Sequence, residues 1–322
     1  MKAVRIHEFG GPENMRYEEV PEPTPKPGQA VVKLDASGVN FIDIYRRSGT
    51  YAITLPAILG EEGAGTVTAT APDVTSVKTG DRVAWTSIQG AYAEYAALPA
   101  DRLVKLPGSV STKQGAAIML QGLTAHYLAS TTYPLKPGDT CLVHAGAGGV
   151  GLLLTQVAKI RGAQVITTVS TEEKAALSRE AGSDLVINYT TRDFETELKA
   201  FTGGKGVQVV YDAVGKTTYE KSLNCLTPRG MIVLYGQSSG LVPPIDPLTL
   251  NRKGSLFLTR PTLAHYIATR EELQERSNDV FRWIGEGKIR LTMNFEFPLR
   301  DAAKAHEALA ARKTTGKILL IP

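Results

Sequence analysis

The run from His144 to Gly151, HAGAGGVG, spaces Gly146, Gly148 and Gly151 as Gly-x-Gly-x-x-Gly directly behind the apolar residues Cys141, Leu142 and Val143. A strand that ends in such a turn and opens into a helix is built to hold a diphosphate. Gly146 permits the tight turn, Gly148 lets the main chain approach the phosphates, and Gly151 lets the helix pack close to the strand. The start of the helix then offers unpaired N–H groups and the positive end of its dipole. The chemistry expected is dinucleotide binding.

An NAD site places Asp or Glu at the end of the second strand, where it bonds the ribose hydroxyls. Here that strand ends Thr167-Thr168-Val169-Ser170, with no acid. Ser170 and Thr171 are donors suited to a phosphate, and Lys174 lies one turn into the next helix. This rim favours the 2′-phosphate of NADPH. Glu172 and Glu173 count against it unless they point away, and Glu173 has the capping-box spacing to Ser170. Tyr189, after the third strand, either faces the adenine or is an ordinary surface tyrosine.

The elements that must position these residues are legible around them. From 122 to 260, strand candidates at 140–144, 164–169, 184–188, 207–212, 231–235 and 255–259 are joined through helical patterns such as Val150–Ile160 and Glu172–Glu180. Apolar strands joined through helices form a parallel sheet covered on both faces, and six of them fit a doubly wound Rossmann domain. Residues 1–121 carry short β-like runs between Gly and Pro turns, as in Ala30–Leu34, Gly65–Ala69 and Asp81–Trp85, which suggests a barrel-like domain. In 261–322, helical patterns at 271–286 and 300–312 flank an alternating strand, Ile289–Phe297, before a last strand in KILLIP. That piece has too little core alone and is expected to return to the first domain. The fold class expected is α/β, a doubly wound parallel sheet inserted into a β-barrel domain.

Composition excludes several alternatives. At 322 residues the chain is long enough for two domains, and 43% hydrophobic with 21% charged residues is an ordinary globular profile. No apolar run approaches the roughly 20 residues of a membrane span. The N-terminus lacks the apolar stretch of a signal peptide, so a cytoplasmic location is expected. A net charge of +4, with bases interspersed among acids, does not point to nucleic acid. Cys141 and Cys225 read as buried free thiols, and His126 and His144 as structural.

Beyond the glycine turn, the chain resembles the medium-chain dehydrogenase/reductase superfamily over its whole length, and within it the zeta-crystallin-like quinone oxidoreductases. The residues that carry this are GVNFIDIYRRSGTY (38–51), LGEEGAG (59–65), GDRVAW (80–85), QGLTAHY (121–127), YDAVG (211–215), GSLFLTRP (254–261) and TREEL (269–273). The resemblance implies a GroES-like catalytic domain interrupted by the Rossmann domain, NADPH in the cleft between them, and a homodimer joined through the Rossmann domain. It implies cofactor contacts at Asn40, Tyr45, Tyr127, Gly149, Val150, Ser170, Lys174, Tyr189, Val214, Tyr235, Ser238 and Arg312. Thr124 and Gly236 join this set. Arg260 and Arg312 are candidates to hold cofactor charge or to fasten the cleft.

Zinc-dependent relatives place Cys and His where this chain has Asn40 and Glu61, and they carry a cluster of four cysteines that is missing here. No metal is expected, since catalytic zinc needs three Cys, His or carboxylate ligands. Without a Lewis acid to stabilise an alkoxide, the natural hydride acceptor is already polarised by conjugation, a quinone or an enone. Candidate positioning groups are Asn40, Tyr45, Tyr51 and Gln121. Asn40 offers an amide to the nicotinamide ribose or the substrate carbonyl. Tyr45 and Tyr51 bracket a loop, 46–50, that could cover a flat ring. NADPH-dependent quinone reduction is the leading reading. Reduction of α,β-unsaturated aldehydes or ketones, and NADPH or nucleic-acid binding without turnover, are the alternatives.

Overall fold

The computed structural model describes residues 1–322, and they divide into two compact units. The first comprises Met1–Leu123, Ile267–Gly287 and Leu291–Pro322, the second Thr124–Tyr266 with Lys288–Arg290.

The first unit begins with β1 (Lys2–Ile6), β2 (Arg16–Glu19), β3 (Gln29–Val39), α1 (Phe41–Arg47), β4 (Ala57–Ile58) and β5 (Glu62–Thr70). It continues with β6 (Arg82–Thr86), β7 (Tyr95–Pro99), β8 (Val104–Lys105) and α2 (Thr112–Tyr127), whose last residues enter the second unit. The second unit holds β9 (Thr140–Val143), α3 (Gly149–Ile160), β10 (Gln164–Val169), α4 (Glu172–Glu180), β11 (Leu185–Asn188) and α5 (Phe194–Phe201). It goes on through β12 (Val207–Asp212), α6 (Tyr219–Asn224), β13 (Leu226–Leu234), α7 (Pro247–Arg252), β14 (Phe257–Thr259) and α8 (Leu263–Tyr266). The chain then adds α9 (Arg270–Gly285), β15 (Phe295–Pro298), α10 (Ala302–Ala310) and β16 (Ile318–Ile321) to the first unit.

In the second unit the strand order is β11-β10-β9-β12-β13-β14, every pair parallel. Counted within the unit this is 3-2-1-4-5-6, the doubly wound dinucleotide order. Its strands are near-continuous apolar runs because both faces are covered. Leu142, Ile166, Ile187, Val210 and Ile232 are buried on one face with Phe194 and Leu198 of α5.

The first unit is dominated by a seven-stranded sheet, β15-β16-β3-β5-β6-β8, with β7 also on β3. Long β3 pairs antiparallel with β5 on one edge and with β7 and then β16 on the other. The C-terminal strand thereby lies against β3, Ile318 opposite Val39. One core beneath this sheet packs Val32, Leu34, Val67, Val83 and Trp85. A second packs Ile6, Val39, Leu59, Tyr92, Leu299 and Ile318.

Some expected boundaries shift for identifiable reasons. The alternating stretch Ile289–Phe297 is a strand only over Phe295–Pro298. Its first part is claimed by Gln156, whose amide donates to the carbonyl of Arg290 at 3.1 Å and accepts its N–H at 2.8 Å, so no ladder forms there. The final helix spans Ala302–Ala310, because residues 299–301 coil as a 3-10 turn and Arg312 turns to φ +57°. Segment 46–50 is not wholly a loop either, since Arg46 and Arg47 close α1.

Candidate functional site

In a parallel sheet all carboxyl ends lie on one edge, and ligands bind there, where the strand order reverses. In the second unit that reversal falls between β9 and β12. The glycine turn follows β9, Ser170 follows β10 and Tyr189 follows β11 by one residue. Val214 follows β12, Tyr235, Gly236 and Ser238 follow β13, and Arg260 follows β14. One sheet edge thus gathers most of the residues expected to touch a nucleotide.

The three motif glycines differ in what surrounds them. A Cβ on Gly146 would lie 2.5 Å from Cβ of Thr167, and one on Gly151 would be driven into the carbonyl of Ala145. Gly148 is nearly open, its nearest neighbour for a Cβ being Ala145 O at 3.2 Å. Chain packing therefore requires Gly146 and Gly151. Gly148 is left bare at the N-cap of α3, where no side-chain oxygen satisfies the first N–H groups. By contrast α4, α5 and α9 are capped by Thr171, Asp193 and Thr269. The cradle suits a diphosphate.

The cap of α4 is Thr171, which accepts from the N–H of Lys174 at 3.3 Å; Ser170, expected in that role by spacing, lies one residue outside. Ser170 instead receives a hydrogen bond from Nζ of Lys174 at 3.2 Å, so hydroxyl and ammonium stand together at the end of β10. Glu172 reaches Asn188 and Arg179, and hydrogen bonding, first from its own main chain, holds the Glu173 carboxyl below the usual carboxylate range. Tyr189 is 44% exposed.

His144 is buried, bonded through Nδ1 to Thr168 Oγ1 and through Nε2 to Ser222 Oγ, both at 2.9 Å. Burial pushes its pKa down, and it ties β9 to β10 and α6. Asp212, fully buried, fixes the turn after β12 by accepting from the N–H groups of Val214 at 2.7 Å and Gly215 at 2.9 Å. Tyr127 is buried against Tyr266, their rings stacked at 4.2 Å, and Thr124 is buried on the same helix. Arg260 holds the carbonyl of Leu234 at 2.7 Å. Sequence reading missed Tyr266, which no motif marks.

The first unit builds a separate polar cluster. Asn40, at the N-cap of α1, receives Nζ of Lys317 on Oδ1 at 2.9 Å and Nε2 of Gln121 at 3.2 Å. Its Nδ2 donates to Glu62 Oε2 at 2.9 Å and to Gly38 O at 3.3 Å. Lys317 also pairs with Glu62, and Glu62 Oε1 accepts from the N–H of Leu120 at 2.7 Å. The Asn40 amide expected to face the reactants therefore has protein partners at both ends. Sequence reading missed Lys317, which a single lysine in a C-terminal strand gives no signal to find.

Next to this cluster, Asp43 Oδ2 accepts from the N–H of Asn40 at 2.8 Å and from Tyr92 Oη at 3.0 Å. Burial, then the charge of Glu61, pushes the Asp43 carboxyl up to about 7. Glu61 is itself held by Arg46 Nε at 2.8 Å. Tyr45 and Tyr51 meet edge to face at 5.4 Å, at either end of the turn that closes α1. Arg312 is exposed beyond α10. No group of three or more His, Cys, Asp or Glu side chains is placed to hold a metal ion. Asn40 receives the ammonium of Lys317, which also pairs with Glu62, and Glu61 is paired with Arg46.

The profile of the zinc-binding dehydrogenases matches residues 149–283, and that of the alcohol dehydrogenase GroES-like domain matches residues 26–108. The chain is 46% identical to the quinone oxidoreductase of Pseudomonas aeruginosa, over 100% of this chain and 99% of that one. It is 44% identical to a 2-haloacrylate reductase of Burkholderia sp., over 99% and 98%. The crystal structure of Escherichia coli quinone oxidoreductase complexed with NADPH superposes with a TM-score of 0.98 at 45% identity, covering 100% of both chains. A mycobacterial structure complexed with NADPH gives 0.97 at 48% identity, again covering 100% of both. Fold and site define a two-unit dehydrogenase/reductase with a doubly wound nucleotide-binding sheet. The chain belongs to the medium-chain dehydrogenase/reductase family, alongside its quinone oxidoreductases.

Proposed function

We propose that this protein reduces quinones with NADPH by hydride transfer and without a metal. The observation that carries the reading is the end of β10, where Ser170 and Lys174 stand together and no acid competes for a ribose hydroxyl. Bound NADPH supplies the hydride from its nicotinamide ring, and the protein's own work is to bind, orient and shield. The bare turn at Gly146, Gly148 and Gly151, with the N–H groups of Gly149 and Val150, takes the diphosphate. Ser170 and Lys174 take the 2′-phosphate, and Tyr189 covers the adenine. Thr124, Tyr127, Val214, Tyr235, Gly236, Ser238 and Arg260 line the rest of the nucleotide, with Arg312 adding positive charge. Tyr45, Tyr51 and Gln121 orient the acceptor, the two tyrosines by stacking on a flat ring, and Asn40 acts through the hydrogen bond it accepts from Gln121.

The likeness to a 2-haloacrylate reductase favours a second reading, reduction of a conjugated carbon–carbon double bond. Both readings predict NADPH oxidation by chelator-treated protein. Turnover with 1,4-naphthoquinone well above that with 2-chloroacrylate or an enone supports quinone reduction, and the reverse order supports the second. No turnover with any of the three overturns both. Activity lost on chelation and restored by zinc overturns the metal-free mechanism.

The protein works as a homodimer through the Rossmann sheet. Support comes from β14, which ends the sheet order with Phe257 57% exposed, and from exposed Leu241 and Leu248 in the same unit. No helix is long and apolar enough to cross a membrane. A cytoplasmic location accords with two buried, unpaired cysteines.

A further inference from the structure

At the end of α2 the helix widens. The main chain from Leu128 to Thr132 forms a π turn, and the N–H of Tyr133 reaches back to the carbonyl of Leu128 at 3.2 Å. Such turns are rare and occur frequently at functional sites. Tyr211 of β12, fully buried, directs its hydroxyl at the carbonyls of Leu128 and Tyr133, at 3.2 Å and 3.3 Å, and so braces both ends of the turn. In an α-helix, residues i and i+5 lie about 140° apart around the axis. A turn bonded from residue i to i+5 takes more residues per revolution and brings such a pair toward one face. Tyr127 and Thr132 are spaced in this way, and both reach Tyr266. The Tyr127 ring stacks on it, with ring centres 4.2 Å apart and planes 13° from parallel, and Thr132 Oγ1 donates to its hydroxyl oxygen at 2.9 Å.

We propose that Tyr266 is a positioning residue for the nicotinamide half of NADPH, holding the Tyr127 ring in place by stacking while Thr132, brought alongside by the π turn, holds Tyr266. This rests on the reading above, in which NADPH lies along the carboxyl edge of the parallel sheet. A dinucleotide spans the point where the strand order reverses. Ser170 and Lys174, after β10, stand on one side of that reversal and take the 2′-phosphate end, so the nicotinamide half falls on the other, toward β12, β13 and β14. Tyr127 is on that side, since Tyr235 after β13 and Arg260 after β14 both lie within electrostatic reach of it. Burial holds the Tyr127 phenol above the ordinary tyrosine range, so it stays protonated and can donate to an oxygen of the nucleotide. A ring already fixed by a stack gives up little rotamer freedom when the nucleotide arrives, and that saving is what Tyr266 contributes.

The experiment compares calorimetric Kd values of NADPH and of adenosine 2′,5′-bisphosphate, which keeps the 2′-phosphate end and lacks the nicotinamide half. Tyr266→Leu removes the stack and should weaken NADPH about tenfold, near the upper worth of an aromatic pair, with the bisphosphate unchanged. Tyr266→Phe keeps the ring and loses the bond from Thr132, so it should weaken NADPH about threefold. Thr132→Val should do the same, and the two changes together should do no more, because they cut one link. Should Tyr266→Leu not fold, Tyr266→Phe and Thr132→Val carry the same test. Folded variants that bind NADPH as wild type does overturn the proposal. So do variants that lose NADPH and the bisphosphate alike, since the effect is then on the fold at large. Wild-type protein that binds neither nucleotide overturns the functional reading, and this proposal with it.

Discussion

Oη of Tyr92 lies 3.0 Å from Oδ2 of Asp43 and donates to it, which makes the phenol the last link of a directional chain. Arg47 can only donate, so it contacts His306 Nδ1 at 3.2 Å as an acceptor. His306 is thereby left with its proton on Nε2, 3.0 Å from Tyr92 Oη. Burial, then Arg47, pushes His306 down from 6.5 to about 3, while burial pushes Asp43 up from 3.8 to about 7. The two act oppositely on stability. Asp43 favours the folded state at low pH and loses that contribution as pH rises through about 7. His306 contributes above pH 6.5 and loses it as pH falls toward about 3. Between about 4 and 6.5 they offset one another. Relative to wild type, Asp43→Asn should lose stability on acidification across that window by ~1.4 kcal/mol per pH unit. His306→Gln should show the opposite slope. Urea unfolding at a series of pH values checks both.

The motif glycines should separate fold from ligand. Gly151→Ala places a methyl against the carbonyl of Ala145 and should destabilise the protein by about 1–3 kcal/mol. Gly148→Ala needs only a small adjustment at 3.2 Å, so its melting temperature should stay near wild type while NADPH binding weakens. A titration of NADPH into both variants, beside thermal melts, decides it. Unchanged affinity in Gly148→Ala would remove the diphosphate from this turn.

Lys174→Ala removes the ammonium beside Ser170 and should cost NADPH about 1.5–3 kcal/mol, roughly a factor of 10 or more, with little effect on NADH. Initial rates with each nucleotide against one quinone give the comparison. Equal losses with both would take the 2′-phosphate away from Lys174.

Phe257→Glu places a charge on the exposed edge strand β14 and should shift the protein from dimer toward monomer. Light scattering after size exclusion reads the mass directly. An unchanged dimer would move the interface elsewhere.

Local pattern determined a good deal. Glycine spacing and strand–helix alternation gave the doubly wound sheet, because βαβ units write their period into short stretches of chain, and Glu172–Glu180 is helical over the span its pattern indicates. The missing acid after β10 was equally local, one residue type at one strand end. Asn40 and Gln121 could be named as candidates, but not how their amides turn. That depends on Lys317, 277 residues from Asn40, just as the proton on His306 depends on Arg47, 259 residues away. The strand expected over Ile289–Phe297 was lost in the same way, to an amide 134 residues distant. The chain's own pattern thus determined that a dinucleotide sheet exists and where its phosphate turn lies. Tertiary structure alone decided which glycine is bare and which way each buried amide faces, because both depend on donors and atoms that only folding brings within reach.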